Sequence, residues 1–533
     1  MSKKSRFGKK EINPDEIFLD SSNLPELNEM QFEGRVTLPV SRRALFSVGT
    51  IFILFLLVFC FRAVQLQIVK GASYADISRN NTLDTSIIFA TRGVIFDRTG
   101  KELAWNDIQT DASTSAAATT SSFALRRYIP LPGLSHLIGF VQYPKADRSG
   151  YWWREDSTGM SGVELAFDPQ LHGKNGSSMI ESDARGNIER ENIVALAEPG
   201  SDLKLSIDAD VQSKLYRLLS VHAQEQGFQG GAAVIMDVET GEVLALTSFP
   251  EYDHAAFTNG TVAAVRAASV DKRTPLLNRA ISGLYAPGSI VKPIFAAAHG
   301  LVDMRTAIAV SSDEYFYTIG GGYGGQVGLG INRLDQYARA FGLGKATGIA
   351  FVGEEDGLIP TPQWKEATFN GDPWRIGNTY HTAIGQYGFQ ITPIQAVTFI
   401  AAIANGGKLL VPQLLASSTP QYRDIGISDE NLAVVREGMR LAVTSTRQDA
   451  TVKALNIPVM HIAAKTGTAQ VGAHNQWMNS WSVGFWPAEH PRYAYAVVLE
   501  RAPAGTASGA APGMQPFFYW LAANHPEYAN PGE

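Results

Sequence analysis

The sequence predicts an α+β protein: one membrane-spanning helix, a β-rich pedestal, and a larger domain in which an antiparallel sheet is flanked by helices and joined by a helical lobe. Three observations predict it. An uncharged apolar run, ALFSVGTIFILFLLVFCF, fills positions 44–61. Short β-like runs separated by turn residues occupy positions 70–200. Beyond Ser201, strand patterns stand at both ends of the segment with helical spacing between them, as expected of a sheet closed by its own termini. The chain has 533 residues, enough for two or three domains at about 100–200 residues each.

The apolar run is near the lower limit for crossing roughly 30 Å of hydrocarbon. Residues 63–69 extend it, and we take 44–66 as the anchor. Arg42 and Arg43 flank its N-terminal side, with Lys3, Lys4, Arg6, Lys9 and Lys10 further upstream. The positive-inside bias therefore puts the tail, 1–43, in the cytoplasm and everything beyond the span on the periplasmic or extracellular side. A cleaved signal peptide fits poorly, because the run starts late and lacks a small-residue exit. Phe59 before Cys60 is too bulky for a lipobox. Cys60 is the single cysteine, which excludes an internal disulfide and any cysteine-built metal site. The 45 Lys+Arg against 51 Asp+Glu give a formal charge of -6 and no basic footprint for nucleic acid.

The pedestal, 67–200, contains three β-like runs, TSIIFA, RGVIFDRTGKELAWN and HLIGFVQYP. The second predicts a hairpin around the Asp97-Arg98-Thr99-Gly100 turn. GMSGVELAFDPQLHGKNG and DARGNI read as glycine-punctuated connectors, and Pro199-Gly200 marks a boundary. In 201–533, Ala209–Gln224 has helical spacing and Gly230–Ser248 forms a hairpin. Much of 289–450 is helical, broken at GLGKATG and ANGGK. KTGTAQV, SWSVGFW and YAYAVVLE are strands, followed by the run FFYWLAA.

No HExxH, Walker loop or dinucleotide fingerprint is present, and the ten histidines are scattered, so no metal or cofactor is expected. What remains is a serine–lysine set. Ala286-Pro287-Gly288-Ser289-Ile290-Val291-Lys292-Pro293 places Ser289 at the start of a helix with Lys292 one turn on, on the same face. A serine hydroxyl needs a base, and a desolvated lysine can be one. Ser-x-x-Lys alone is weak, since it also occurs at Ser201–Lys204 and Ser269–Lys272. Lys465-Thr466-Gly467-Thr468-Ala469 opens a strand pattern. There Lys465 and the hydroxyls of Thr466 and Thr468 could hold a substrate carboxylate, and Gly467 could admit substrate backbone; the alternative is a surface turn. Ser311-Ser312-Asp313 on its own reads first as a helix cap.

Ser-x-x-Lys, Ser-x-Asp and Lys-Thr-Gly in this order resemble the signature of penicillin-binding proteins and serine β-lactamases. RGVIFDRTGKELAWN, GAAVIMDVETGEVLALTSFPEYD, NRAISGLYAPGSIVKP, TAIGQYGFQITPIQ and ANGGKLLVP extend the likeness across roughly 74–515, where the chain resembles class B penicillin-binding proteins. The resemblance implies a penicillin-binding protein/serine β-lactamase-like transpeptidase domain at 201–533. It implies a D,D-transpeptidase that cross-links peptidoglycan stem peptides and is acylated by β-lactams. Ser289 would be the nucleophile and Lys292 its base. Ser311 would relay protons, with Asp313 in the position written Asn or Asp. Lys465, Thr466 and Thr468 would bind the D-Ala-D-Ala carboxylate, with Gly467 among the substrate-binding residues, and the N–H groups of Ser289 and Thr468 would form the oxyanion hole. SSDEYFY is more similar to the elongation type, penicillin-binding protein 2, than to the septal type. A SEDS-type glycan polymerase is the implied partner.

The sequence departs from that pattern in four places. Ser311 follows Ser289 by only 22 residues, implying a pruned helical lobe. The family's Gly-Gln-Gly appears as Gly385-Gln386-Tyr387-Gly388, and its Gly-Asp-Thr as Gly377-Asn378-Thr379. The membrane-proximal segment is short. Four rivals stand beside the elongation reading: a septal transpeptidase, an acyl-hydrolase (a β-lactamase or D,D-carboxypeptidase), a penicillin sensor, and a non-catalytic scaffold that activates the polymerase. No element that would activate a deacylating water is assignable, and the tail is short for a signalling domain.

Overall fold

The computed structural model describes residues 42–80, 83–107, 123–182, 188–297 and 304–530. The tail with its upstream lysines, and 183–187 of the DARGNI connector, lie outside the described residues. The chain divides into two units, one of 1–84 with 181–190 and one of 85–180 with 191–533. In the first, α1 (Arg42–Val64) continues into a π-helical turn, Gln65–Val69. Its 25-residue stretch Leu45–Val69 is long and apolar enough to cross a membrane, at roughly 1.5 Å per residue. Cys60 is exposed on this helix.

The second unit begins with the pedestal. The predicted hairpin is β1 (Ile95–Phe96) and β2 (Glu102–Asp107), continued by β3 (Leu125–Tyr128). Asp97 shapes the turn: its Oδ1 accepts from Thr99 N–H (2.8 Å), Thr99 Oγ1 (2.7 Å) and Lys101 N–H (2.9 Å). On its other edge β1 pairs in parallel with β4 (Leu203–Lys204), so this sheet crosses the Pro199-Gly200 turn.

Two pedestal segments differ from expectation. In HLIGFVQYP the first residues are helical, Ser135–Ile138, and only Val141–Gln142 is strand. All four helical residues are buried, and Gly139 at φ 83° ends the turn, so burial overrides the β-like composition. The GMSGVELAFDPQLHGKNG connector folds into two short helices, Gly162–Ala166 and Asp168–Leu171. Glu164 draws it inward. Its carboxylate is fully buried between Arg92 Nε (2.6 Å) and Arg126 Nε (2.8 Å).

The larger domain follows. α2 (Ala209–Glu225) is N-capped by Asp208, whose side chain accepts from Asp210 and Val211 N–H. The hairpin β5 (Gly230–Asp237) and β6 (Val243–Phe249) leads through three short helices, His254–Thr258, Val262–Val270 and Arg279–Ser282, to α3 (Lys292–Ala297). Helices α4 (Asp313–Gly321), α5 (Ile376–Ala383), α6 (Pro393–Ala404) and α7 (Asp429–Thr444) come next. The chain then returns as β7 (Ala463–Val471), β8 (Trp477–Trp486) and β9 (Tyr493–Pro503), followed by α8 (Ala510–Asn524) and the short helix Pro526–Ala529.

The sheet order is β6-β5-β9-β8-β7, antiparallel throughout. N- and C-terminal strands therefore meet at β5–β9, as the strand patterns predict. Alternate residues of β5 feed opposite cores. Ala232, Val234 and Met236 join the core that includes α6, while Ala233 and Ile235 join the one that includes α2 and α8. Every residue of α6 is buried, and its Thr392–Gln395 capping box satisfies its first turn. β7 is left as an edge strand, and the site forms along it.

Candidate active site

Pro287 and Gly288 set up the nucleophile. Pro287 sits at φ -72°, and Gly288 at φ 56°, a left-handed value open to glycine at little cost. The chain then makes one 3-10 turn, Gly288–Val291, that runs into α3. Gly467 of β7 lies under this turn. A Cβ on it would come within 2.7 Å of Pro287 O and 2.9 Å of Ile290 Cγ2. The absent side chain of Gly467 thus makes room for the Ser289 turn.

The predicted residues come together except in one respect. Lys292 and Lys465 are both fully buried. Lys292 Nζ donates to Ser311 O (2.6 Å), Ser311 Oγ (3.2 Å) and Asp313 Oδ1 (2.5 Å). Lys465 Nζ donates to the same Ser311 Oγ (2.8 Å) and to Thr466 O (2.8 Å). The Ser311 hydroxyl thus bridges two amines, and the 22-residue gap closes the site. Ser311 holds φ 56°, a rare conformation for a side-chain-bearing residue and one that surrounding contacts must enforce. The helix-cap reading of the triplet holds as well, but for its neighbour: Ser312 caps α4, accepting from Tyr315 N–H. The exception is Ser289, whose half-buried hydroxyl makes no hydrogen bond among the described residues; Lys292 is turned to Ser311 and Asp313 instead.

Along β7, Lys465 is buried with Gly467 and Ala469, while Thr466 and Thr468 are on the open face. Two buried amines share one carboxylate, and Asp313 is itself half exposed. Burial lowers the Lys292 pKa, with the Asp313 hydrogen bond opposing it. Lys465 is held further below the ordinary lysine range, first by burial and then by the Lys292 charge. Such an arrangement favours a neutral amine one helical turn from a serine hydroxyl, the condition for general-base activation. Among the described residues no cluster of histidine, cysteine or carboxylates could hold a metal ion.

Several positioning residues escaped the sequence reading. Gln386 Nε2 donates to Thr468 O (3.4 Å), tying the Gly385–Gly388 loop to β7. In that loop Tyr387 takes φ 62°. Arg279 Nε (2.8 Å) and the Tyr285 hydroxyl (2.7 Å) both donate to Glu500 of β9, and Trp481 Nε1 donates to Ala286 O (3.0 Å). These bonds fasten the approach to Ser289 onto the sheet. The sequence signals near them were the likeness of NRAISGLYAPGSIVKP, which carries Arg279, Tyr285 and Ala286, and of TAIGQYGFQITPIQ, which carries Gln386.

A five-stranded antiparallel sheet with helices on both faces, a Ser-x-x-Lys turn against its edge strand and a hydroxyl shared by two buried lysines define a serine acyl-transfer fold. The comparisons narrow the class. The model of the penicillin-binding protein transpeptidase domain matches 231–301 and 296–518, and that of the penicillin-binding protein dimerisation domain matches 106–205. The chain belongs to the penicillin-binding protein transpeptidase family. The peptidoglycan D,D-transpeptidase MrdA of Acinetobacter baumannii is 31% identical over 470 residues, covering 74% of this chain and 66% of the relative's length. The crystal structure of Pseudomonas aeruginosa PBP2 in complex with WCK 5153 matches with a TM-score of 0.65 at 29% identity, covering 84% of this chain and 100% of that one. A chain in a peptidoglycan synthase complex that coordinates polymerization and crosslinking matches with a TM-score of 0.67 at 25% identity, covering 91% and 98%.

Proposed function

We propose that this protein is a peptidoglycan D,D-transpeptidase of the elongation type, cross-linking stem peptides outside the cytoplasmic membrane and serving as a β-lactam target. The observation that carries the reading is the Ser311 hydroxyl held between Lys292 and Lys465 beside the Ser289 turn. Ser289 Oγ attacks the carbonyl of the penultimate D-Ala, and neutral Lys292 takes its proton. The N–H groups of Ser289 and Thr468 receive the developing oxyanion, each such donor being worth about 10²–10³ in rate. Ser311 delivers a proton to the departing D-Ala amine. The resulting acyl-enzyme is then attacked by an amine of a neighbouring stem, which restores Ser289. Lys465, Thr466 and Thr468 hold the terminal carboxylate of the donor, with Gly467 beneath them.

We read the chain as a cytoplasmic tail (1–43), an anchor (44–66), a pedestal (67–200) and a transpeptidase domain (201–533). The pedestal, matched by the dimerisation-domain model, and the span would meet a SEDS-type glycan polymerase; the similarity to a chain of a peptidoglycan synthase complex supports this. The elongation role is supported by the likeness to MrdA. A fluorescent penicillin applied to the full-length protein in detergent should label it covalently, and Ser289→Ala should abolish the label. Failure of the folded wild type to label would sink the catalytic reading. Rapid release of the label would favour the acyl-hydrolase.

A further inference from the structure

Two of the sequence's departures from the family pattern, Asn378 and Tyr387, meet on one side chain, Lys365. This lysine is buried, pairs with Asp372 (2.8 Å) and donates to Pro373 O (2.7 Å) and Asn378 Oδ1 (3.0 Å). Its Nζ also stands 5.8 Å from the centre of the Tyr387 ring, within cation–π range. Trp374 and Trp364 meet the same ring edge-on, with centroids 5.7 Å and 6.1 Å away. The walls of this cage are themselves fixed. Trp374 Nε1 donates to Thr379 Oγ1 (2.9 Å), and Trp364 belongs to a short helix, Pro362–Thr368, capped by Thr361.

The ring sits on unfavourable backbone. Gly385 and Gly388 take φ 76° and 80° at little cost, but Tyr387 between them holds φ 62° with a side chain attached. Such a conformation persists only where neighbours over-determine it. A glycine at 387, as the family pattern has it, would relieve the strain and leave the cage without its ring. What Tyr387 gains in exchange is a loop anchored from the lobe.

The other side of that loop faces the reacting groups. Gly288 N–H donates to Gly385 O (2.9 Å), and Gly385 lies so close to the Gly288–Ser289 peptide that a Cβ would run into Gly288 O. Gln386 holds Thr468 O, and a Cβ on Gly288 would come 2.7 Å from that same oxygen. The loop thus bears on both segments whose N–H groups, of Ser289 and Thr468, receive the oxyanion in the reaction proposed above. Oxyanion donors act at about 2.7–3.1 Å, so their spacing has to be held. We propose that Tyr387 is a positioning residue for acyl transfer: its caged ring fixes the Gly385–Gly388 loop and, through it, the spacing of the Ser289 and Thr468 N–H groups. This rests on the transpeptidase reading and adds a residue that acts through the loop.

The test is labelling of the full-length protein in detergent over a range of fluorescent penicillin concentrations, which separates the saturating acylation rate from the half-saturating concentration. Tyr387→Gly should lower the saturating rate by about 10–10²-fold, the scale of a misplacement near 1 Å, and leave the half-saturating concentration within about twofold. Tyr387→Phe keeps the ring and should restore most of the rate. Trp374→Leu removes one wall of the cage with the loop sequence intact and should repeat the loss, with melting curves reporting that each variant is folded. An undiminished saturating rate in both Tyr387→Gly and Trp374→Leu, or a change confined to the half-saturating concentration, would overturn the positioning role. Failure of wild type to label would instead count against the transpeptidase reading.

Discussion

In the pedestal, Glu164 is wholly buried, yet each of its oxygens meets a guanidinium, Arg92 on one side and Arg126 on the other, and Asp168 answers Arg92 as the second carboxylate. Around Ser289, two ammonium groups are buried as deeply with one half-exposed carboxylate, Asp313, to answer them. The same cost of removing charge from water is met in the first place by pairing. In the second it is left partly unmet, and the lysines respond by favouring their neutral forms. Balanced burial locks a fold; unbalanced burial makes a base.

The sharpest way to break this contrast is to remove the base. Lys292→Met keeps the side-chain length and should slow acylation by a fluorescent penicillin by up to about 10⁴-fold, measured as the second-order labelling rate of folded protein. The converse change in the pedestal should act on stability. Glu164→Gln leaves buried Arg126 without its ion-pair partner, while Arg92 keeps Asp168, and should cost about 3–5 kcal/mol. Thermal unfolding would record it, with protein that remains folded still taking up the label.

A third effect concerns the seam between the two regions. His254 packs on Tyr128 with ring centroids 4.4 Å apart, and His136 packs edge-on to Tyr252. Burial pushes the pKa of His136 down to about 3 and that of His254 down to about 4. Both are therefore neutral in the folded protein at pH values where the unfolded chain already binds protons. Stability should fall as pH drops from about 6.5 toward 4, by up to about 1.4 kcal/mol per pH unit for each histidine. Melting curves at pH 7, 6 and 5 would show it, and His254→Phe should flatten the slope.

The smallest expected change is at Asp313, which is half exposed and screened by water. Asp313→Asn removes the group that favours charged Lys292, so more of the lysine is neutral at a given pH. The acidic limb of the labelling rate should move toward lower pH. An unchanged limb would mean that Asp313 does not set the state of Lys292.

The sequence carried the strands and the motif residues far, because both are written locally. Alternation in β5–β6 and β7–β9 marks the strands, and Ser289, Lys292 and Lys465 stand in short recognisable strings. Long-range partners were illegible. Arg279 and Glu500 are 221 residues apart, and Glu164 lies 72 residues from Arg92, so no window of sequence joins them. The left-handed backbone at Ser311 and Arg501 was hidden too, since it belongs to residues that do not ordinarily adopt it. The approach of Pro287 and Ile290 to Gly467 was illegible as well, because a glycine signals close approach without saying what approaches.

The claim that unbalanced burial makes Lys292 a base is tested most directly by the pH dependence of Ser289 acylation in the full-length protein. If the account holds, the labelling rate levels off below the ordinary lysine pKa of about 10.4. A rate that keeps climbing to that pH would contradict it.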